Sequence, residues 1–146
     1  MAFLVDTNVL VYRFDARFPK KLARARQLLD DGVANGELRV PHQALVEFVA
    51  VVGRPLPPSG RPLLEMADAT REVEIMMAAA EIYYPNASVM RTALDGMASH
   101  QLSWFDAHLW AYAEHFAIPI LYSEDFAHDR LYGTVRVINP FLALTP

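Results

Sequence analysis

The chain has 146 residues, 53% of them hydrophobic and 21% charged, which excludes a disordered chain and fits a single domain with its own core. It has no cysteine, so disulfides, thiolate metal sites and a cysteine nucleophile are all excluded. The net charge of −4 excludes a basic electrostatic glue for nucleic acid or membranes, but not an acidic protein that meets an acidic polymer through bound metal.

Residues 2–5 are a short apolar run ending at Asp6-Thr7-Asn8, which predicts a buried strand, and residues 9–14 predict a short helix directly after it. Past Pro19, the spacing of Leu22, Ala25, Leu28, Leu29 and Val33 predicts a helix over 20–34, stopped by Asn35-Gly36. Residues 38–40 read as a strand closed by Pro41. Residues 42–52 are apolar on nearly every side and predict a buried helix that ends at Gly53. Residues 54–62 hold four prolines and a glycine and read as a surface excursion rather than a domain linker. Further helices are expected over 62–80 and 88–98, with a short strand over 82–84 between them. Ser103 is a suitable N-cap for a helix over 104–116, and strands follow over 118–122 and 135–138.

Short apolar strands alternating with helices predict an α/β fold. The expectation is a mostly parallel sheet of about five strands, in the order 3-2-1-4-5, with helices on both faces and one domain over 1–146. In such a sheet ligands bind beyond the carboxyl ends of the strands, where the strand order reverses. No apolar run is long enough for a membrane span and the N-terminus carries no basic leader pattern, so the cytoplasm is the expected location.

Most of the 17 acidic residues, Asp30, Asp31, Glu72 and Glu74 among them, fall on polar helix faces. Four do not. Asp6 ends the first strand, where it also suits an N-cap. Glu47 is the only charge in the buried helix over 42–52, and needs either a wet cleft or a cation such as Arg54. Asp106 opens the helix over 104–116 on the same face as Leu109, Trp110 and Ala113. Asp125 follows the strand over 118–122. Each of these positions has a plain capping, turn or ion-pair explanation on its own. Together they place four carboxylates around one cleft, where mutual repulsion calls for a hard divalent cation, Mg²⁺ or Mn²⁺. Carboxylate-held metal activates water for in-line attack on a phosphodiester, in a one-metal or a two-metal form.

The segments Val5-Asp6-Thr7-Asn8-Val9-Leu10, Ala44-Leu45-Val46-Glu47-Phe48, Leu102-Ser103-Trp104-Phe105-Asp106-Ala107 and Leu121-Tyr122-Ser123-Glu124-Asp125, with the tail Val135-Arg136-Val137-Ile138-Asn139-Pro140-Phe141, resemble the PIN-domain ribonucleases, and among them the VapC toxins. The resemblance spans nearly the whole chain. It implies a PIN-like fold and a metal-dependent endoribonuclease, the toxin of a type II toxin–antitoxin pair. It places Asp6, Glu47, Asp106 and Asp125 at the family's four acidic positions, and Asn8 and Ser123 at those of polar helpers that orient the first aspartate and metal-bound waters. The partners it implies are an RNA substrate, a VapB-type antitoxin that covers the cleft, and a second copy in a homodimer. One departure is His128-Asp129, where close relatives often have His-Gly; the proline-rich stretch at 54–62 is another.

Other readings are weaker. Strand-end aspartate phosphatases want Asp-x-Asp where this chain has Asp6-Thr7-Asn8, and they share with receiver domains a late lysine. The only lysines here are Lys20 and Lys21. There is no dinucleotide fingerprint and no P-loop. A catalytically inactive PIN-like scaffold that only binds RNA or a partner is the alternative. The five histidines form no i, i+4 pair for zinc, and Arg13, Arg17 and Arg54 are placed to reach an RNA backbone.

Overall fold

The computed structural model describes residues 1–144. Their elements run β1 (Phe3–Val5), α1 (Thr7–Tyr12), α2 (Pro19–Ala34), β2 (Leu38–Pro41), α3 (His42–Val52), α4 (Met66–Ala79), β3 (Glu81–Tyr83), α5 (Ala87–His100), α6 (Trp104–His115), β4 (Ile120–Tyr122), β5 (Arg130–Tyr132) and β6 (Val135–Ile138). The strands form one sheet in the order β3-β2-β1-β4-β6-β5. All neighbouring pairs are parallel except β5 and β6. The expected order 3-2-1-4-5 is therefore present, with one extra strand at its far edge.

That extra strand, β5, is the element the sequence reading missed. Arg130 and Leu131 are exposed and only Tyr132 is buried, so the segment carries little of the apolar signal of a strand. A two-residue Gly133-Thr134 turn joins Tyr132 to its partner Val135, and Gly133 has φ 59°, which glycine adopts without a Cβ penalty. Other differences are at element ends. The Asp6 carboxylate accepts from the Thr7 N–H at 2.6 Å, so α1 starts two residues early and directly on the strand. Pro19 is the first residue of α2, where its missing N–H is harmless. Residues 62–65 stay outside α4, and Leu64 donates its N–H back to Val52 O.

Alternation along the strands divides the core into two layers. Phe3 and Val5 face α1–α4, packing with Val9, Leu10, Leu29, Leu45 and Phe48. Leu4 faces the other way, with Leu121, Val135 and Val137, against Val89 and Ala93 of α5 and Leu109 and Tyr112 of α6. Helices thus cover both faces of a sheet whose central strand, β1, is buried throughout. Tight packing of α5 on α6 depends on Gly96, where an added Cβ would lie 2.5 Å from the Trp110 ring. Residues 54–61 form an exposed excursion closed by an antiparallel bridge between Leu56 and Arg61. No helix among the described residues is long and apolar enough to cross a membrane.

Candidate active site

The chain leaves β1 to one side through β2 and β3, then crosses back to place β4 on its other side. The strand order reverses at β1 and β4, and the crevice beyond their carboxyl ends is where an open parallel sheet accepts ligands. Asp6 and Asp125 come from the ends of these two strands, Glu47 from α3 directly after β2, and Asp106 from the first turn of α6. A hollow of about 350 Å³ opens there, lined by Asp6, Thr7, Asn8, Glu47 and Asp125 together with Tyr12, Asp15, Arg17 and Phe18.

Asp6 is the most constrained of these groups. Its backbone N–H extends the β1–β4 ladder by donating to Tyr122 O at 2.9 Å. One carboxylate oxygen caps α1. The other accepts from the buried Ser123 hydroxyl at 2.6 Å and from Asn8 Nδ2 at 3.3 Å. The Ser123 hydroxyl also accepts from the Asp125 N–H at 3.1 Å, and Asn8 Nδ2 reaches Asp125 Oδ2 at 3.2 Å. Ser123 and Asn8 thus both bridge Asp6 and Asp125, although the two lie far apart in sequence.

Glu47 accepts from the Thr7 hydroxyl at 2.7 Å and from Gln43 Nε2 at 3.0 Å. Arg54, the ion-pair partner considered for it, does not pair with it among the described residues. Glu47 is half-buried and lines the open hollow. Gln43 Nε2 also donates to the Phe105 carbonyl, and Gln43 Oε1 meets His108 Nδ1 at 2.6 Å, which ties α3 to the start of α6 beside Asp106. Ser103 caps α6 as expected, its hydroxyl accepting from the Asp106 N–H at 3.3 Å. Sequence reading missed Thr7 and Gln43. The available signals were that Gln43 sits one turn before Glu47 and Thr7 directly after Asp6.

Repulsion within the cluster is visible in its acidity. Burial, followed by the negative charges of Asp125 and Asp106, raises the Asp6 pKa to about 7, against the pull of the Ser123 and Thr7 hydrogen bonds. Asp106 is also raised, first by burial and then by Asp125 and Glu47, while Ser103 pulls it down. None of the four carboxylates has an ion-pair partner among the described residues. Glu124, between Ser123 and Asp125, turns away to Lys21 (2.9 Å) and the Tyr12 hydroxyl (2.6 Å).

This donor set fits a hard cation. It offers oxygen alone, and Asn8 Oδ1 is buried without a hydrogen-bond partner, an acceptor left for a cation or its water. Among the described residues no three His, Asp or Glu side chains converge closely enough to cage an ion. A cage is not what Mg²⁺ requires, since it keeps several waters and is held by one or two carboxylates. His128 is exposed, and its Nδ1 accepts from the Asn139 N–H, which gives it a role in the loop rather than the cleft. Its neighbour Asp129 has φ 57°, the left-handed conformation a glycine favours, so the loop keeps a glycine-like turn despite the departure from His-Gly.

A family model for the PIN domain matches residues 3–133. The chain belongs to the PIN domain family. Comparison with curated protein sequences finds no match. Among solved structures, this PIN domain is similar to a toxin–antitoxin complex from Klebsiella pneumoniae, at 17% identity and a TM-score of 0.67, covering 96% of this chain and 98% of that one. It is also similar to the sarcin–ricin loop cleaving toxin VapC20 of Mycobacterium tuberculosis, at 17% identity and a TM-score of 0.64, covering 85% and 90%. A third likeness is to VapBC2 from Rickettsia felis bound to a promoter DNA fragment, at 13% identity and a TM-score of 0.67, covering 94% and 97%. At these identities the likeness is one of fold. The PIN domain here has its acidic residues at the switch point of that fold.

Proposed function

We propose that this PIN domain is the toxin of a type II toxin–antitoxin pair, a Mg²⁺- or Mn²⁺-dependent endoribonuclease that hydrolyses RNA phosphodiester bonds and so inhibits translation or growth. The observation that carries this reading is the gathering of Asp6, Glu47 and Asp125, none ion-paired among the described residues, around one hollow at the switch point, with Asp106 near enough for its charge to help raise Asp6 to about 7. The likeness to toxin–antitoxin structures supports the biological setting. By the same likeness the partners are a VapB-type antitoxin that covers the cleft and a second copy of the chain.

In this reading Asp6, Glu47, Asp106 and Asp125 hold the metal. Once bound, it supplies charge neutralisation at the phosphate and a water acidic enough to attack in line. The rest is done by the chain. Ser123 and Asn8 fix the rotamer of Asp6 and its spacing from Asp125. Thr7 and Gln43 aim Glu47 into the cleft. The raised pKa means that Asp6 gives up a proton before it serves as a ligand.

The test is cleavage of labelled RNA by the pure, antitoxin-free protein in Mg²⁺ or Mn²⁺, with Asp6→Ala and a chelator as controls. Cleavage lost in both controls is the expected result. Absence of cleavage on every RNA tried would overturn the nuclease reading in favour of a binding module.

A further inference from the structure

We propose that Arg17, held rigid by the buried Asp15 at the rim of the acid cleft, is a phosphate-binding residue for the RNA strand, with Phe18 beside it as a stacking surface for a base. This rests on the nuclease reading and adds how a polyanion is drawn to an acidic site.

Arg17 is the one cation among the described residues lining the hollow that holds Asp6, Glu47 and Asp125. Its guanidinium is docked from one side: Nε and Nη2 donate to the two Asp15 carboxylate oxygens at 2.9 and 2.8 Å. Asp15 Oδ1 also accepts from the Arg17 backbone N–H at 3.2 Å, so main chain and side chain share one anchor. Asp15 is 2% exposed, whereas the Arg17 side chain is 53% exposed. Arginine has five N–H donors, so this docking leaves the Nη1 edge free, a second planar fork suited to a phosphate. The pairing holds the Asp15 carboxyl below its ordinary range and raises Arg17, so both stay charged.

The other two arginines near the site lack this preparation. Arg13 turns to an apolar cavity with Leu10, Leu29, Ile75 and Met76, where its nearest acid is Glu72 at 4.0 Å. Arg54 is exposed in an adjoining hollow that shares Glu47 but not Asp6 or Asp125, with no anchoring acid among the described ion pairs. Phe18 is 44% exposed, with the Arg17 guanidinium 5.5 Å from its ring centre and the edge of Tyr12 against it. A fixed cation next to an exposed aromatic ring is the pairing that holds single-stranded nucleic acid through phosphate and base together. An apolar partner helix would use Phe18 but leave the outward fork of Arg17 unmatched, which favours RNA as the occupant.

The test is equilibrium binding of a short fluorescent single-stranded RNA to the cleavage-disabled Asp6→Asn protein, titrated across salt. Arg17→Gln, added to it, is expected to weaken binding about tenfold and to flatten the log K against log salt slope by about 0.7, one phosphate contact on a single strand. Arg17→Lys keeps the slope but restores only part of the affinity, because lysine has no fork. Phe18→Ala weakens binding about fivefold or more with the slope unchanged. Glutamine and lysine both still donate to Asp15, and matching melting curves establish that the variants are folded. An Arg17→Gln protein with the parent's affinity and slope overturns the proposal. Loss of antitoxin binding with RNA binding intact also overturns it, in favour of a protein contact. If Arg17→Gln behaves as the parent while Asp6→Ala abolishes cleavage, the nuclease reading stands without this inference; if the unsubstituted protein cleaves no RNA and the parent binds none, both fall.

Discussion

Replacing Asp6 with asparagine should change how stability depends on pH more than it changes stability itself. Asp6 titrates near 3.8 in the unfolded chain and at about 7 in the folded one. Between those values the folded protein keeps a proton that the unfolded chain has released, so its stability falls as pH rises. The stabilisation is complete below the unfolded value and lost by about pH 7. A separation of about three pH units corresponds to an upper bound of about 4 kcal/mol at ~1.4 kcal/mol per unit, which water in an open cleft reduces to about 2–3 kcal/mol. Asp106 is raised as well and adds in the same direction, whereas Asp15 is lowered and acts only below the ordinary carboxylate range.

Urea unfolding of the metal-free protein in chelator, at pH steps between about 4.5 and 8, reads this directly. Wild type should lose up to about 1.4 kcal/mol per pH unit through the middle of the window. Asp6→Asn should be flatter by most of that slope. Its offset is small, because asparagine still caps α1 through its carbonyl but meets Ser123 and Asn8 with donors where oxygen stood. Parallel pH curves for the two proteins would refute the claim that Asp6 carries the extra proton.

Other predictions follow from the same contacts. Mn²⁺ binding should displace the Asp6 proton, so affinity rises up to about tenfold per pH unit below pH 7, and titration calorimetry in two buffers of different ionisation enthalpy should show proton release. Gln43→Leu removes a donor to Glu47 and should weaken Mn²⁺ binding about tenfold by the same calorimetry, with little change in melting temperature. Ser123→Ala removes a hydrogen bond that lowers the Asp6 pKa, so it should steepen the stability loss toward neutral pH and cost about 1–3 kcal/mol at pH 7 in urea unfolding. Gly96→Ala should destabilise by about 1–3 kcal/mol through its clash with the Trp110 ring and alter the near-ultraviolet tryptophan signal, without changing metal binding.

What the sequence made legible follows from how physical signals are written in it. The strands β1 and β4 are short apolar runs closed by polar residues, β6 alternates about the exposed Arg136 before Asn139-Pro140, and the alternation of Phe3, Leu4 and Val5 between two cores leaves no polar position in β1. A buried central strand therefore reads as a continuous run. Strand β5 lies at an edge with Arg130 and Leu131 in solvent, and its pairing depends on the Gly133 turn and on Trp110 Nε1 donating to Tyr132 O, a tertiary contact that periodicity does not record. Asp6, Glu47, Asp106 and Asp125 stood out because each is a charge where the local pattern asks for an apolar or capping residue. Their helpers were harder to read. Thr7 and Gln43 are ordinary residues in a helix: the role of Thr7 arises only when α1 packs on α3, and Gln43, one turn before Glu47, gains its other contacts only when α6 packs beside α3. Arg17 was legible as a cation near the site, but not its anchor, since Asp15 two residues earlier reads as a loop acid until its burial is known.

The net charge of −4 is best understood through this distribution of partners. Several other acids are ion-paired: Asp15 with Arg17 at the cleft rim, and away from it Glu124 with Lys21, Glu81 with Arg39, Asp68 with Arg71 and Asp129 with Arg136. Inside it, Asp6, Glu47, Asp106 and Asp125 are held by hydroxyl, amide and backbone donors, which orient a carboxylate without neutralising it. Four carboxylates without an ion pair therefore lie near one another where the strand order reverses, while others such as Asp30, Asp31 and Glu74 are exposed on helix surfaces. Had Lys21 faced the cleft rather than Glu124, it would have satisfied Asp125 and lowered the demand for a divalent ion. By pairing that lysine with Tyr12 and Glu124, the fold leaves the cleft carboxylates for a soluble cation. It leaves at the rim one arginine, anchored by the buried Asp15 beside those carboxylates.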